Sequence, residues 1–209
     1  MKPGNEKTSL KRNTRENIID AAIELFSEKG FSEASIRDIT GRIGLRESAV
    51  YTHFANKSEL NGIILEMFTK EVSMEAYTHD NISSHITELG PKLFLQTRLL
   101  KLRDSLSPRT IKVWRIMHIE QFRNKEVRNF YMEEILNRPV AFYEKVFESM
   151  LEKGLIKPYD ARILATEYYY TIVAILLERG LLEVDKIDVS PAIKKLFEHV
   201  EFFYEAIKI

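Results

Sequence analysis

The 209-residue chain contains no cysteine, and it has only eight glycines and six prolines. The lack of cysteine excludes a disulfide-stapled fold, a cysteine nucleophile and a zinc site built on thiolates. It is also compatible with a reducing cytoplasm, where we expect the protein. Because glycine and proline interrupt regular structure, their scarcity favours long, uninterrupted elements.

An excess of charge and a long apolar run are missing as well. The 31 Lys and Arg residues balance 31 Asp and Glu residues, so any DNA contact must come from local patches. The longest strongly apolar run, residues 168–177, is far shorter than the ~20 residues that span a bilayer. The first residues also lack the apolar segment of a signal peptide. We therefore expect a cytoplasmic protein that does not contact a membrane.

Apolar residues recur with the spacing of a helix between the few glycines and prolines. Strand-like alternation, hairpin dipeptides and internal repeats are not found in the sequence. The sequence therefore predicts an all-α fold of about nine helices. Pro139 is expected to kink or break one long helix, and Gly180 is expected to end another.

The clearest helix starts in the first third of the chain are capping boxes. Three pairs with this spacing precede apolar runs: Asn13 with Glu16, Ser35 with Asp38, and Asn56 with Glu59. We expect turns at Gly30 and Gly44, because glycine readily adopts positive φ. Residues 1–12 carry a net charge of +3 and are predicted to be a flexible arm. This arm is either a solvated tail or a segment that touches DNA phosphates or the minor groove.

Residues 35–54 form two short amphipathic segments joined at Gly44, a pattern that fits a helix-turn-helix. The second helix of such a unit needs a polar outer face, because that face enters a major groove about 12 Å wide. Its outer positions are Arg46, Glu47, Ser48, Tyr51 and Thr52. An ordinary surface helix is also polar, so periodicity alone leaves both interpretations open.

Two runs of sequence, IIDAAIELFSEKGF at residues 18–31 and SIRDITGRIGLRESAVYTHFANKSEL at residues 35–60, resemble the N-terminal domain of the tetracycline-repressor (TetR) family. The resemblance implies a homodimer with a helix-turn-helix DNA-binding domain over residues 1–60. It implies a ligand-binding and dimerisation domain over residues 61–209. The expected function is sequence-specific regulation of transcription. The usual mode in this family is repression at a palindromic operator in double-stranded DNA, relieved by a small-molecule effector.

The resemblance also implies roles for individual residues of the DNA-binding domain. Tyr51 and Lys57 match phosphate-contacting positions, and Ser35 matches a capping residue that can reach phosphate. Glu47 and Ala49 stand where the family often has lysine and threonine. Glu47 is therefore either an acceptor for cytosine N4 or a solvated carboxylate in the first turn. The full predicted DNA-binding set is Ser35, Arg46, Glu47, Ser48, Ala49, Tyr51, Thr52 and Lys57.

The remainder of the chain is rich in aromatic residues, and packing in the core accounts for most of them. Three consecutive tyrosines at 168–170 cannot all face one core. Some are expected to face an apolar pocket for a hydrophobic or aromatic effector. The predicted pocket residues are Trp114, Met117, His118, Gln121, Tyr143, Phe147 and Tyr169. Further apolar residues are expected either at the dimer face or in the core: Ile172, Ile175, Leu176, Leu196, Phe197, Val200, Phe203 and Tyr204.

Two other functions compete with this one. His79-Asp80 is the adjacent pair of HD-type phosphohydrolases, which are all-helical metal enzymes. No further ligand spacing, phosphate loop or nucleophile motif supports an enzyme, so we expect no catalysis, metal or cofactor. The other alternative keeps DNA binding but replaces the small-molecule effector with a protein partner.

Overall fold

A computed structural model describes residues 4–72 and 79–209, with residues 4–13, 79 and 80 described by backbone alone. These residues form helices and no strand, as an all-α fold requires. Nine of the helices have seven or more residues, in agreement with the predicted number. The helices are α1 (Gly4–Lys29), α2 (Ile36–Arg42), α3 (Glu47–Tyr51), α4 (Lys57–Val72), α5 (His79–Leu89), α6 (Pro91–Ser105), α7 (Pro108–Glu120), α8 (Lys125–Phe130), α9 (Arg138–Glu152), α10 (Ala161–Val184) and α11 (Ser190–Ile207), with a π-helical turn at Tyr131–Asn137 before α9. Within the described ranges, none of these helices is both long and apolar enough to cross a bilayer.

The chain divides into two compact units. The head unit consists of Met1–Glu71 and Ser107–Phe130, and the second unit consists of Val72–Leu106 and Tyr131–Ile209. The predicted boundary between residues 60 and 61 does not separate these units. The reason is that α7 packs on α1, so a segment distant in sequence belongs to the head unit.

The core of the head unit is built from the apolar stripes of its first four helices. Ile18, Ala22 and Phe26 of α1 are completely buried, as are Ile39 of α2 and Val50 of α3. The predicted start of α1 at Asn13 is wrong, because the helix begins at Gly4. Residues 5–12 contain neither glycine nor proline, so nothing in the sequence stops the helix from extending.

The second unit is built around α9, α10 and α11, with α10 packed against both of the others. At Pro139, where a kink or a break was predicted, the helical run continues but changes from π-helical to α-helical after Asn137, and the proline lies in the first turn of α9. The predicted helix end at Gly180 is wrong, because α10 continues to Val184. A glycine inside a helix costs only about 1 kcal/mol, which packing on two neighbours offsets.

The exposure of the apolar side chains of α10 and α11 distinguishes those in the core from those on the surface. Ile172, Leu196 and Val200 are at most 2% exposed, and therefore complete the core of their own unit. Other apolar side chains of α10 and α11 are exposed within the single chain: Leu177, Leu181, Val184 and Phe202. The outward face of these two helices is therefore more apolar than a solvated surface requires.

Candidate nucleic-acid interface

Helix α2 begins at a complete capping box, as predicted. The Ser35 hydroxyl accepts a hydrogen bond from the Asp38 amide over 3.1 Å, and the Ser35 amide donates to Asp38 Oδ2 over 3.0 Å. The Ser35 hydroxyl also donates to the same carboxylate over 2.8 Å. Hydrogen bonds from the Ser35 backbone and side chain hold the pKa of Asp38 below its usual value. The start of α2 is therefore fixed by local bonds on an exposed surface.

The turn between α2 and α3 depends on Gly44, whose φ is +67°. This left-handed conformation favours glycine, and it lets the Leu45 amide donate to the Thr40 carbonyl over 3.0 Å. Thr40 is buried, and its hydroxyl donates to the Arg37 carbonyl over 3.1 Å. The buried Thr40 is thus accommodated without an unpaired hydroxyl.

Helix α3 presents most of its predicted contact residues to solvent. Tyr51 is 55% exposed, and the preceding residue, Val50, is completely buried. Ala49 is half-buried, and its carbonyl accepts a hydrogen bond from the Thr52 hydroxyl over 2.7 Å. The exposed members of the set on and beside α3 are Arg46, Glu47, Ser48, Tyr51 and Thr52. These five side chains form one polar surface on a short helix, which we call the α3 face.

Lys57, the first residue of α4 and a predicted phosphate contact, makes hydrogen bonds within the protein. Its Nζ donates to the carbonyl oxygens of Phe31 and Ala34, each over 2.8 Å, and lies 4.5 Å from the centre of the Phe31 ring. Two of the three ammonium hydrogens are used in this way. At most one remains for a phosphate, so Lys57 primarily ties α4 to the turn between α1 and α2.

Acidic residues on α1 are paired inside the head unit. Arg109 of α7 lies 3.2 Å from Asp20 and 3.7 Å from Glu16, and Arg42 of α2 makes two hydrogen bonds to Glu28. Another pair joins Glu24 to Lys112 of α7. These basic partners neutralise the acidic side chains of α1 locally. The electrostatic repulsion between α1 and a DNA phosphate is therefore weaker than the number of acidic residues suggests.

Comparisons with known proteins agree with this geometry. Residues 18–61 match the family model of bacterial regulatory proteins of the tetR family. A solved transcriptional regulator from Aquifex aeolicus is 26% identical, with a TM-score of 0.61 over 90% of this chain and 98% of that one. Residues 18–61 therefore match the TetR family in sequence, and most of the chain shares the fold of the Aquifex aeolicus regulator.

Other known proteins match over different shares of the chain. ArpR, a probable transcriptional regulator of Pseudomonas putida, is 31% identical over 110 residues, which are 50% of this chain and 49% of ArpR. The chain spans between 25% and 49% of the first curated relatives that it matches. SmeT of Stenotrophomonas maltophilia, solved with triclosan, covers 94% of this chain and is itself covered over 92%, with a TM-score of 0.66 and 21% identity. At that identity the likeness to SmeT shows the fold alone.

Four predicted pocket residues lie in the head unit. Met117 and Trp114 on α7 are buried, and His118 lies 5.5 Å from Trp114 between ring centres. Burial lowers the pKa of His118, and Gln121 Nε2 lies 3.3 Å from His118 Nδ1. The Trp114 indole nitrogen is buried and makes no hydrogen bond to any described residue. It is therefore a donor that a ligand or a water molecule would satisfy.

Three predicted pocket residues lie in the second unit. Tyr143 stacks on Tyr169 with ring centres 5.8 Å apart, and meets Tyr168 edge-on at 4.8 Å. Phe147 also contacts Tyr168, over 5.8 Å. Burial raises the pKa of Tyr143 to about 12. Tyr168 and Tyr169 are buried but Tyr170 is 47% exposed, so the three consecutive tyrosines do divide between core and surface.

One residue of the head unit was missed by sequence reasoning. Glu120, the last residue of α7, is only 1% exposed and bonds to Ser32 in the turn between α1 and α2. The signal was present in the sequence: Glu120 follows Val113, Ile116 and Met117 on the buried stripe of α7. A carboxylate at a core position requires a specific partner.

The alternative prediction of an HD-type enzyme rests on His79 and Asp80. The backbone of this pair begins α5. Their side chains lie outside the described part of the chain. In the part that is described, no three His, Asp or Glu side chains are grouped so that they could hold a metal ion.

Proposed function

We propose that this protein is a TetR-family DNA-binding regulator of transcription that acts in the cytoplasm, where it reaches promoter DNA. The observation that carries the proposal is the α3 face, which lies within the segment that matches the family model. Its exposed hydrogen-bonding side chains stand on a helix anchored by the fully buried Val50. This arrangement suits insertion into a major groove.

The side chains of the α3 face differ in whether they suit contacts to DNA phosphates or to base edges. Tyr51 can donate one hydrogen bond to a phosphate, with Ser35 and the remaining N–H of Lys57 as further backbone contacts. Arg46 can make paired bonds to guanine, Glu47 can accept from cytosine N4, and Ser48 and Thr52 can bond to either kind of edge. Ala49, being half-buried, offers only a methyl contact to thymine.

The proposal includes a homodimer on a palindromic operator. The exposed apolar side chains of α10 and α11, including Leu181 at 60% and Phe202 at 75% exposure, support a symmetric interface in the second unit. Two heads related by a two-fold axis would read two half-sites in inverted order.

The effector is proposed to be a small hydrophobic or aromatic molecule whose binding releases the operator, so that the protein represses in its absence. The buried Trp114 and Met117 supply apolar contacts, and the unpaired indole N–H of Trp114 can donate a hydrogen bond to an acceptor on the effector. Trp114 is the only tryptophan of the chain. We therefore expect titration with triclosan, used as a hydrophobic phenol probe, to change its fluorescence saturably. An unchanged spectrum in the presence of triclosan and of other aromatic probes would argue for a protein partner instead.

Fluorescence anisotropy with labelled duplexes tests the DNA-binding claim. We expect log K to fall with log salt with a slope of about −3 to −6 per dimer, because each subunit makes only a few phosphate contacts. Tyr51→Ala should weaken binding about five- to tenfold on every duplex alike, since a phosphate contact carries no base preference. Tyr159→Ala is the matched control, because Tyr159 is a 52% exposed tyrosine of the second unit. Equal affinities for Tyr51→Ala and the wild type would show that Tyr51 does not touch phosphate.

A further inference from the structure

The turn between α1 and α2, residues 30–34, is held by a buried carboxylate from a distant helix. Glu120 Oε1 accepts a hydrogen bond from the Ser32 amide over 3.1 Å, and Glu120 Oε2 accepts one from the Ser32 hydroxyl over 2.8 Å. Eighty-eight residues of sequence separate the two partners. Both oxygens of a side chain that is 1% exposed are therefore committed to one residue of this turn.

The close approach of Glu120 to the turn depends on Gly30. Gly30 adopts a φ of +86°, and a Cβ atom at this position would lie 2.4 Å from Glu120 Oε1 and 3.1 Å from Ile119 Cγ2. No side chain fits in that space while Glu120 keeps its bonds to Ser32. The turn and the end of α7 are thus matched in shape as well as in hydrogen bonding.

The same turn is held on its other side by Lys57. The two bonds from Lys57 Nζ to the carbonyls of Phe31 and Ala34 flank the residue that Glu120 binds. Burial lowers the pKa of Lys57, and the negative charge of Glu120 acts in the opposite direction. An acid from α7 and a base from α4 therefore hold three of the five residues of the turn.

The residue after this turn is Ser35, the N-cap of α2, so the position of the turn sets the position of the helix-turn-helix. We infer that Glu120 is a positioning residue for DNA binding, which orients α2 and α3 by fixing Ser32 from the end of α7. This inference rests on the proposed function. Trp114 and His118 lie on the same helix, so a ligand that displaces the end of α7 would act on the turn through Glu120.

Amide hydrogen exchange tests the contact without any DNA. In the wild type the Ser32 amide should be protected by its bond to Glu120, and Glu120→Ala should remove that protection while core amides of α1 stay protected. Glu120→Gln keeps one acceptor oxygen and should retain part of the protection. Glu66→Gln, at an exposed carboxylate of α4, is the charge-matched control and should leave Ser32 unchanged. Full protection of Ser32 in Glu120→Ala would overturn the contact.

DNA affinity of the same variants tests the consequence. Relative to the wild type and to Glu66→Gln, Glu120→Ala should bind duplex DNA at least about tenfold more weakly, since two donors of the turn lose their acceptor. Two milder variants, Ser32→Ala, which loses only the hydroxyl bond, and Glu120→Gln, should have affinities between those of the wild type and Glu120→Ala. If Glu120→Ala does not fold, these two milder variants decide the matter by the same criterion. Lost protection with unchanged affinity would overturn the positioning role, whereas a wild type that binds no duplex would refute the proposed function itself.

Discussion

Replacing Gly30 by alanine perturbs the turn between α1 and α2 at its tightest point. Two costs add in the folded state. A side chain in the left-handed region costs about 1–2 kcal/mol. The new Cβ would lie 2.4 Å from Glu120 Oε1, so the carboxylate must also move away from Ser32. Leaving those donors without an acceptor costs about 1–3 kcal/mol. We therefore expect Gly30→Ala to lower the free energy of unfolding by about 2–5 kcal/mol.

Urea unfolding followed by Trp114 fluorescence measures this loss, because the only tryptophan lies in the head unit. With a denaturant slope of about 2 kcal/mol per molar, the unfolding midpoint should fall by about 1–2.5 M urea. Gly44→Ala is the matched control. Gly44 also has a positive φ, +67°, but a Cβ atom added there would meet nothing within 4 Å. It should show only the backbone cost of about 1–2 kcal/mol.

The difference between the two alanine variants isolates the contact with Glu120. Introduced into a Glu120→Ala background, Gly30→Ala should lose most of its excess cost over Gly44→Ala, because the carboxylate at 2.4 Å is gone and only the contact of 3.1 Å with Ile119 Cγ2 remains. If Gly30→Ala and Gly44→Ala destabilise the wild type equally, to within about 0.5 kcal/mol, the close, rigid contact at Gly30 is refuted.

Other parts of the molecule give predictions of their own. Lys57→Met should lower the free energy of unfolding by about 1–3 kcal/mol, because two carbonyls lose their donor; a stability equal to that of the wild type would contradict the tie to the turn. Burial is the main reason that the pKa values of His199 and His118 lie below the ordinary 6.5. On acidification these two histidines therefore bind protons at a higher pH in the unfolded chain than in the folded protein. The free energy of unfolding, measured with urea, should therefore fall as the pH drops from about 7.5 to about 5.5, and it should fall less steeply in His199→Gln. A free energy of unfolding that rises on acidification would contradict this assignment. Light scattering should give about 49 kDa, twice the 24.5 kDa of one chain, and a monomer mass would exclude the proposed dimer.

The helical architecture was largely readable from the sequence, because its signals are local. The capping box at Ser35, the turn at Gly44 and the proline in the first turn of α9 each depend on neighbours within a few residues. The errors at the helix ends have a common cause. Asn13 does not start a helix and Gly180 does not end one, since a favourable cap or a mild breaker is only a weak preference that the surrounding chain overrides.

The candidate site was readable only in part. The α3 face follows from helical periodicity, so exposure of Tyr51 beside the buried Val50 could be predicted. The carbonyls that occupy Lys57 lie 23 and 26 residues away, and the partner of Glu120 lies 88 residues away. Contacts over such separations depend on how the helices pack, and a single sequence does not encode them in any local pattern.

Selection of duplexes from a random pool by the full chain tests the central claim most directly. We expect enrichment of an inverted repeat whose half-sites are centred about one helical turn, or a multiple of it, apart. The Tyr51→Ala variant should select the same repeat more weakly, because Tyr51 is assigned to phosphate and the other exposed side chains of the α3 face to the bases. A pool that stays random after repeated rounds with the wild-type protein would contradict sequence-specific DNA binding by the α3 face.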